Sequence, residues 1–353
     1  MKKSLLKIGT ILLMGVSLSA CSLLNNLTSS FGGGSSKTTK MESYKNEVSL
    51  DEFGGGLQEK IAATSYASKS FELGDAVLDA ALDASVSQKI TNDSYSTKKR
   101  SEASAKVSAS SKVSYDRDNE TIAITAKDEA SAKYNNAVLG EGSASQKAEF
   151  DFLFQQDGSN YALVNKSDKT YIPVEMGDVS LNQALSYGVQ TGFASLMAVL
   201  PEAEASGEAA LPEGISLKYY WDKDVFTIVG SVNYSEILKD TERIYNYDTS
   251  SYEYVTTEYG VLHIDGEVKL QFKVSDVLKV RAYAKLDVTA DFDVDHNSIA
   301  GGFLSISDLL TSTCVKGDRE AIKLELSAGV NFEQKKVTNK TVNLSGYKEI
   351  IAE

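Results

Sequence analysis

The sequence predicts a mainly β fold of the α+β class, in which one or two helices pack on the concave face of a long curved antiparallel sheet. Three observations predict this fold. Apolar residues occupy every second position from Leu278 to Val294 without a break. Shorter alternations of the same kind occur within 103–113, 122–132 and 148–154. The stretch 179–200 has no charged residue and is apolar on nearly every helical face, which is typical of a buried helix.

The alternation over 278–294 indicates a strand well beyond the usual length of about 3–10 residues. Its other positions are mostly charged or polar, and they include Lys279, Arg281, Asp287 and Asp291. Strands this long usually belong to strongly twisted antiparallel sheets, in which one face packs on the core and the other is exposed to solvent. We therefore expect a curved sheet.

Turn signals separate the shorter alternations. Asp118-Asn119 follows the first of them, and the hairpin signal Asp157-Gly158 follows the third. The pattern then continues through 161–165 and 170–174, as expected for a meander. The inner positions of the early strands are lined by Ala and Ser rather than Leu or Ile, and such small side chains leave volume to be filled. A helix or an apolar ligand is the expected filler.

The first predicted helix covers 75–84. Val77, Leu78, Ala81 and Leu82 would share one of its faces.

The second predicted helix covers 181–200. Ser180 and Gln183 form a capping box at its start, and Pro201 ends it. Phe193 lies inside this helix, and we expect it to contact an apolar ligand beside the sheet.

The N-terminus has the three parts of a secretory signal, which covers 1–20. Its start is positively charged, with Lys2, Lys3 and Lys7, and an apolar stretch follows at 8–16. That stretch is too short to span a bilayer as a helix, because a span needs about 20 residues.

The signal ends in Leu18-Ser19-Ala20-Cys21. This tetrapeptide resembles the lipobox of bacterial lipoproteins, which reads Leu, Ser or Ala, Ala or Gly, then Cys. The resemblance implies cleavage after Ala20, diacylglycerol on the Cys21 sulfur, and anchoring on the extracytoplasmic face of a cell membrane. A plain secretory signal with an incidental cysteine is the alternative interpretation.

Residues 21–69 are rich in Ser, Gly and Thr, with glycine triplets at 32–34 and 54–56. Such a segment buries too little apolar surface to offset the entropy of ordering it, so we predict a flexible tether. Residues 70–353 then form a single β-rich extracytoplasmic domain.

The net charge of −13 restricts the possible partners. Removal of residues 1–20 takes away three lysines and no acidic residue, so the remaining chain has a net charge of −16. An acidic chain repels phosphate backbones, so we expect no nucleic-acid binding. Once Cys21 carries lipid, Cys314 is the only thiol left, so the sequence predicts no disulfide within the chain.

No motif for catalysis or for a cofactor is visible in the sequence. It has neither a Gly-x-Ser-x-Gly elbow nor a Gly-rich phosphate loop followed by Lys-Ser or Lys-Thr. His263 and Asp265 share one strand face, but no third metal ligand lies nearby in sequence. We expect a protein that is not an enzyme and that binds no cofactor and no metal.

Asp291, Asp293 and Asp295 resemble the start of a calcium loop. However, His296 stands where the turn glycine would be, and Gly302 stands where the bidentate glutamate would be. The three aspartates are better interpreted as part of the solvent-exposed face of the long strand.

Four tyrosines flank a predicted hairpin loop at 248–251. Tyr245 and Tyr247 precede the loop, and Tyr252 and Tyr254 follow it. A hairpin closing there would pair Tyr247 with Tyr252 and Tyr245 with Tyr254 as a ladder of four rings. Such a ladder supports a sheet by cross-strand packing. Alternatively, it forms a platform for a glycan or the rim of an apolar pocket, and we include these tyrosines among the candidate ligand contacts.

A curved antiparallel sheet around a buried helix is similar to the LolA-like and LppX-like envelope lipoproteins, over roughly 70–353. Those proteins hold lipidated molecules in their concavity, so the resemblance implies a cell-envelope lipoprotein that binds an apolar ligand or lipid. Two alternatives remain open. One is a surface interaction or structural lipoprotein without a small-molecule ligand, and the other is the solute-binding lipoprotein of a transporter.

Overall fold

The computed structural model describes residues 40–68, 70–92, 101–136, 140–192, 213–293 and 318–350. These residues form one sheet of 13 strands and two α-helices. All neighbouring strands are antiparallel except the short pair at one edge, which is parallel. The predicted fold class, mainly β with a long curved sheet and two helices packed on it, is confirmed.

The elements follow one another in the order β1 (Glu47–Val48), α1 (Leu50–Ala62), β2 (Ala76–Asn92), β3 (Ser101–Asp116), β4 (Thr121–Asn136), β5 (Gly140–Asp157), β6 (Asn160–Asn165), β7 (Thr170–Val174), α2 (181–192), β8 (Ile215–Asp222), β9 (Val225–Asn246), β10 (Ser251–Lys273), β11 (Lys279–Asp293), β12 (Asp318–Gln334) and β13 (Lys348–Glu349). Across the sheet the strand order is β1-β8-β9-β10-β11-β12-β2-β3-β4-β5-β6-β7-β13. Most neighbours are joined by hairpins, whereas the pairing of β12 with β2 joins distant parts of the sequence.

The two ends of this sheet differ. We call the end with the turns at 117–120, 158–159 and 223–224 the proximal end, and the end with the turn at 247–250 the distal end. Each long strand runs between them, and β9 and β10 contain 22 and 23 residues.

The two faces of the sheet also differ. Successive side chains of a strand point to opposite faces, so the alternating apolar and polar residues of each strand are separated onto the two faces. On one side, which we call the apolar face, a row of register partners reads Phe226, Phe272, Val280, Phe332, Leu78, Val113 and Ile124. On the other side, the polar face, the adjacent row reads Thr227, Gln271, Arg281, Asn331, Asp79, Lys112 and Thr125.

The main core lies at the proximal end, where both helices pack on the apolar face. From α1, Phe53 and Leu57 are almost fully buried, and the Phe53 ring meets the Phe226 ring edge-on at 5.6 Å. The helix approaches the sheet closely at Gly56, because a Cβ there would lie 2.6 Å from the Trp221 ring. Any larger residue at this position would require the Trp221 ring to move.

Hydrogen bonds hold α2 against the segment that leads into β2 and against β3. Asn182 donates its amide to the Leu73 carbonyl (2.7 Å) and to the Tyr115 hydroxyl (3.0 Å), and the Leu73 N–H donates to Ser186 (2.8 Å). Leu181 is fully buried. The helix is therefore an integral part of the proximal core.

The C-terminal segment 335–350 covers the polar face at the same end. Val342, Leu344 and Tyr347 pack on a small cluster of buried residues from β5 and β6. Gln155 donates to the Val342 carbonyl (2.9 Å) and accepts from the Val342 N–H (2.8 Å). The proximal end of the sheet is thus covered on both faces.

The predicted helix at 75–84 is wrong, because these residues begin β2. The local pattern fits a helical face, but β2 pairs with β3 and β12 along its length, and alternate residues from Ala84 to Ile90 are buried. Tertiary pairing overrides the local preference of this Ala-rich segment.

The predicted tether at 21–69 is wrong for its second half. Ser49 and Glu52 form a capping box, in which the Glu52 N–H donates to Ser49 (3.3 Å) and the Ser49 N–H donates to Glu52 (3.0 Å). Phe53, Leu57 and Ile61 then bury one face of α1. Their four-residue spacing is a helical signal, and the glycine triplet lies inside this helix. The domain therefore begins before residue 70.

Several predicted features are confirmed. The long alternation forms β11, turns lie at 117–120 and 158–159, and Gly158 has a positive φ of 62°. The capping box of Ser180 and Gln183 starts α2, since the Gln183 N–H donates to Ser180 and the Ser180 N–H donates to Gln183.

Other predictions lie outside the described residues. They concern the signal 1–20, Cys21, the first part of the tether at 22–39, the last part of the second helix at 193–200 with Phe193, Asp295 and Cys314. In the part of the chain that the structure describes, no helix is long and apolar enough to cross a membrane.

Candidate functional site

The candidate site is the apolar face of the sheet beyond the two helices. We call it the distal apolar surface and define it by two rows of register partners. The first row is Val232, Gly266, Leu286, Leu326, Ala84 and Val107, and the second is Tyr234, Ile264, Val288, Leu324, Val86 and Ala105. Strict alternation along β9 to β12 places all of these side chains on the same face as the proximal core.

In the part of the chain that the structure describes, the residues of these two rows belong to none of the hydrophobic core clusters. The proximal core reaches Ile228 and Leu270, and the next cluster begins at Ala290 and Ile322. Between these limits Leu286 and Val288 are half-buried, and Val268 is 55% exposed. Ala84 and Val86 lie on β2, the central strand of the sheet, and both are buried.

A β-bulge closes the surface on the distal side. The register of β9 and β10 shifts between Glu258 and Gly260, which leaves Tyr259 as the extra residue. Tyr259 is buried and packs against Leu238, Ala290 and Ile322. The bulge thereby adds a buried aromatic contact at this end of the apolar face.

A buried polar pair lies next to this closure. Gln88 on β2 and Glu320 on β12 both point to the apolar face, and both are almost fully buried. Gln88 Nε2 donates to Glu320 Oε1. Gln88 Oε1 and Glu320 Oε2 are buried and have no hydrogen-bond partner in the described structure.

Burial raises the pKa of Glu320, and the hydrogen bond from Gln88 opposes this shift only in part. The neutral form of this carboxyl is therefore favoured relative to an exposed glutamate. A neutral carboxyl can donate as well as accept a hydrogen bond. The pair is thus a polar spot in an apolar setting that could bind a ligand hydroxyl or amide.

The polar face contains open grooves rather than an apolar cavity. One of them, of about 830 Å³, is lined by residues that include Ser87, Lys89, Glu102, Ser104, Lys133 and Asn135. Ion pairs cross neighbouring strands on this face, as between Lys127 and Glu149 at 2.7 Å. Both partners of that pair are well exposed, and such pairs contribute little stability. This face has the character of a solvated surface.

The four predicted tyrosines lie at the distal tip of the β9–β10 hairpin, but not as the predicted ladder. The turn covers 247–250, so Tyr245 faces Tyr252, and Arg243 faces Tyr254. The predicted pairs are wrong because the loop begins at Tyr247, one residue earlier than expected.

The tip instead forms a small cluster. Tyr245 meets Tyr252 edge-on at 5.1 Å and Tyr247 at 5.0 Å, and the Arg243 guanidinium lies 4.1 Å from the centre of the Tyr252 ring. Tyr247 and Tyr254 are 85% and 73% exposed. The tip is on the polar side of β9, so these tyrosines do not line the distal apolar surface.

The residues considered for metal binding have protein partners. His263 Nδ1 lies 2.6 Å from the Ser235 hydroxyl, and Asp265 accepts from Asn233 at 3.3 Å. Asp291 pairs with Arg319, which also lies 3.8 Å from Asp293. Across the described ranges, no group of three or more His, Cys, Asp or Glu side chains is arranged to hold a metal ion.

No protein-family model matches the chain, and no curated protein matches it. Among solved structures, the TodX monoaromatic hydrocarbon channel (deltaS2 mutant) has 9% identity and a TM-score of 0.21, with 78% of this chain and 94% of that chain covered. A Pseudomonas aeruginosa FadL homologue has 7% identity and a TM-score of 0.13, with 82% and 99% covered. The outer membrane protease OmpT from Escherichia coli has 9% identity and a TM-score of 0.15, with 76% and 99% covered. This is a distant likeness to β-rich outer-membrane proteins.

Proposed function

We propose that this chain is a membrane-anchored lipoprotein of the cell envelope that binds an apolar ligand or lipid and has no catalytic activity. The observation that supports the proposal is the distal apolar surface. It is a continuous apolar sheet face whose two defining rows lie outside the core that the described parts of the helices build. Contiguous exposed apolar surface on a folded domain marks a site for a ligand or a partner.

The dimensions of this surface suit a hydrocarbon chain. Ile228 and Glu236 mark its limits on β9 and are eight residues apart, which is about 26 Å at about 3.3 Å per residue. One leaflet of a bilayer has a hydrocarbon layer about 15 Å thick, half of the full core. An acyl chain therefore fits along the strands within this length.

The chemistry of the surface suits a ligand with one polar end. Its two defining rows contain no charged residue, so a hydrocarbon would meet only apolar side chains and one tyrosine there. The Gln88–Glu320 pair lies just beyond them, and its two unpartnered oxygens are buried, so a ligand group would reach them only by displacing the atoms that cover them. We propose that this pair binds the polar end of the ligand.

Leu286→Asp tests the ligand site. The new carboxylate would lie in the middle of the apolar face, where an unpaired charge is costly to bury. We expect the amount of apolar ligand retained by the full chain to fall by about tenfold or more, since each 1.4 kcal/mol changes affinity by about tenfold. The chain is extracted from membranes in detergent and denatured, and the released lipid is quantified by mass spectrometry.

Thr289→Asp is the matched control, because Thr289 lies on the same strand but on the polar face, opposite His263. It should retain ligand as the unmodified chain does. An unmodified chain that releases no apolar molecule, or a Leu286→Asp chain that releases the normal amount, contradicts the proposed ligand site.

Cys21→Ala tests the anchor. Without the thiol there is no lipid acceptor, so the product should lose its acyl mass and should no longer be processed after Ala20. Intact mass spectrometry of the purified chain measures both. Cys314→Ala is the control and should be acylated and processed normally. Acylation that persists in the Cys21→Ala chain rules out this anchor.

A further inference from the structure

The two long edges of the sheet have unpaired backbone among the described residues. On β5, pairing with β6 covers only Phe152 to Asp157, and the N–H of Lys166 donates to the Asp151 carbonyl (2.9 Å). Residues 140–150 of β5 therefore have a partner, β4, on one side only. At the other edge, β8 pairs with β9 as far as Val232, which leaves 234–246 open.

The orientation of the free groups on β5 follows from the bond at Asp151. Backbone groups alternate between the two sides of a strand, and the Asp151 carbonyl points away from β4. The N–H and C=O of Glu141, Ser143, Ser145 and Lys147 therefore point to the open side. A long row of unpaired groups is a template for another strand.

The two edges differ in how they are protected. Charged side chains on the inward face are a common defence of edge strands, and β9 has Glu236, Asp240 and Glu242 on its apolar side. The apolar side of β5 has none, and it consists of Gly140, Gly142, Ala144, Gln146, Ala148 and Phe150. The open part of β5 also has no proline and no register shift with β4. It is the unprotected edge.

We propose that the β5 edge is the interface with a second copy of this chain, which adds its own β5 antiparallel around a two-fold axis. A pairing centred on Ala144 sets Lys147 of each copy opposite Glu141 of the other. Both residues lie on the polar face, and no like charges meet within this register. Two-fold dimers are the commonest symmetric assemblies, and strand addition satisfies the free backbone groups of both copies.

The mass of the full chain in detergent tests the proposal, measured by light scattering with the micelle contribution subtracted. The unmodified chain should have the protein mass of two processed copies rather than of one. Ala144→Lys sets two ammonium groups opposite each other at the axis and should give the mass of one copy. Ala144→Glu should do the same, and a mixture of the two variants should regain the mass of two.

Ala132→Lys is the matched control, because Ala132 is the register partner of Ala144 on β4 and is also exposed. It should remain dimeric. Ser145→Pro removes only an N–H on the open side, so it should give monomers with an unchanged circular dichroism spectrum. Ile237→Pro on the β9 edge should have no effect on the mass.

Three results would overturn the proposal. The first is an unmodified chain with the mass of one copy, and the second is an Ala144→Lys chain with the mass of two. The third is dissociation by Ile237→Pro, which would assign the interface to β9 instead.

Discussion

Glu320 places a carboxyl group on the apolar face of the sheet, where its neighbours along β12 are Ile322 and Leu324. Gln88 and Glu320 each interrupt an apolar alternation, and neither was predicted to belong to a site, although these interruptions were visible in the sequence. Their pairing was not, because β2 and β12 are separated by more than two hundred residues and no turn joins them. The sequence could show that each residue was out of place, but not that the two meet.

The raised pKa of Glu320 makes stability depend on pH with a definite sign. Below the unfolded-state pKa of about 4.3, the carboxyl is protonated in both states, so folding has no ionisation penalty. Above that pH the unfolded state ionises first. The free energy of unfolding therefore falls as the pH rises, until the raised folded-state pKa is passed.

Glu320→Gln should remove this fall in the free energy of unfolding at high pH. We expect the variant to be more stable than the unmodified chain at pH 8, by about 1–3 kcal/mol, because it lacks a buried charge with an unpartnered oxygen. The difference should vanish near pH 4. Urea unfolding at both pH values measures it.

Glu325→Gln is the control for this effect. Lys323 holds the pKa of Glu325 below its usual value through a hydrogen bond on the polar face. Stability from Glu325 is thus present at neutral pH and is lost as the pH falls through its lowered pKa, so its removal should not stabilise the protein at pH 8. A Glu320→Gln chain that is less stable at both pH values would show that the carboxyl is needed for packing or for its bond to Gln88.

Among the elements, α1 shows how composition can conceal a pattern. The segment around it is rich in Ser and Gly, and its glycine triplet indicated a flexible joint. The helical spacing of Phe53, Leu57 and Ile61 and the capping box at Ser49 were present in the same residues. The role of Gly56 depends on its approach to Trp221, which a sequence pattern does not show.

Leu57→Ala tests whether α1 belongs to the core. Leu57 is 1% exposed, and truncation of a buried leucine typically costs about 2–5 kcal/mol. We expect a loss of that size in the free energy of unfolding, measured with urea. Gln58→Ala, on the exposed side of the same helix, should change it by less than about 0.5 kcal/mol. A tether would tolerate both changes equally.

Some strands could be predicted from their own sequence, whereas others depend on the strands that they pair with. Alternation predicted β3, β4, β5 and β11, because each shows its two faces within its own sequence, and the turns followed from their residues. For β2 an Ala-rich apolar pattern fits a helix equally well, so only its neighbours decide its conformation. The tyrosine hairpin was predicted as a hairpin, but a loop shifted by one residue changed every partner.

At the scale of the whole molecule, the curved sheet and its apolar face could be predicted, whereas the strand order could not. Hairpins follow from the order of the chain, but the pairings of β12 with β2 and of β1 with β8 join remote segments. The distal apolar surface depends on both. It exists because several alternating strands lie side by side in register beyond the core that the described parts of the helices build.

The proximal core also has a consequence for how the sheet opens. On β10, Phe272 is held by side chains packed above it, whereas Tyr254 and its neighbours near the tip are held mainly by the backbone ladder with β9. Local opening has the lowest free energy where few apolar contacts are buried. A single strand thus spans two regimes of protection: amide hydrogens near the helices are released only with the whole fold, while those toward the tip exchange through partial fraying.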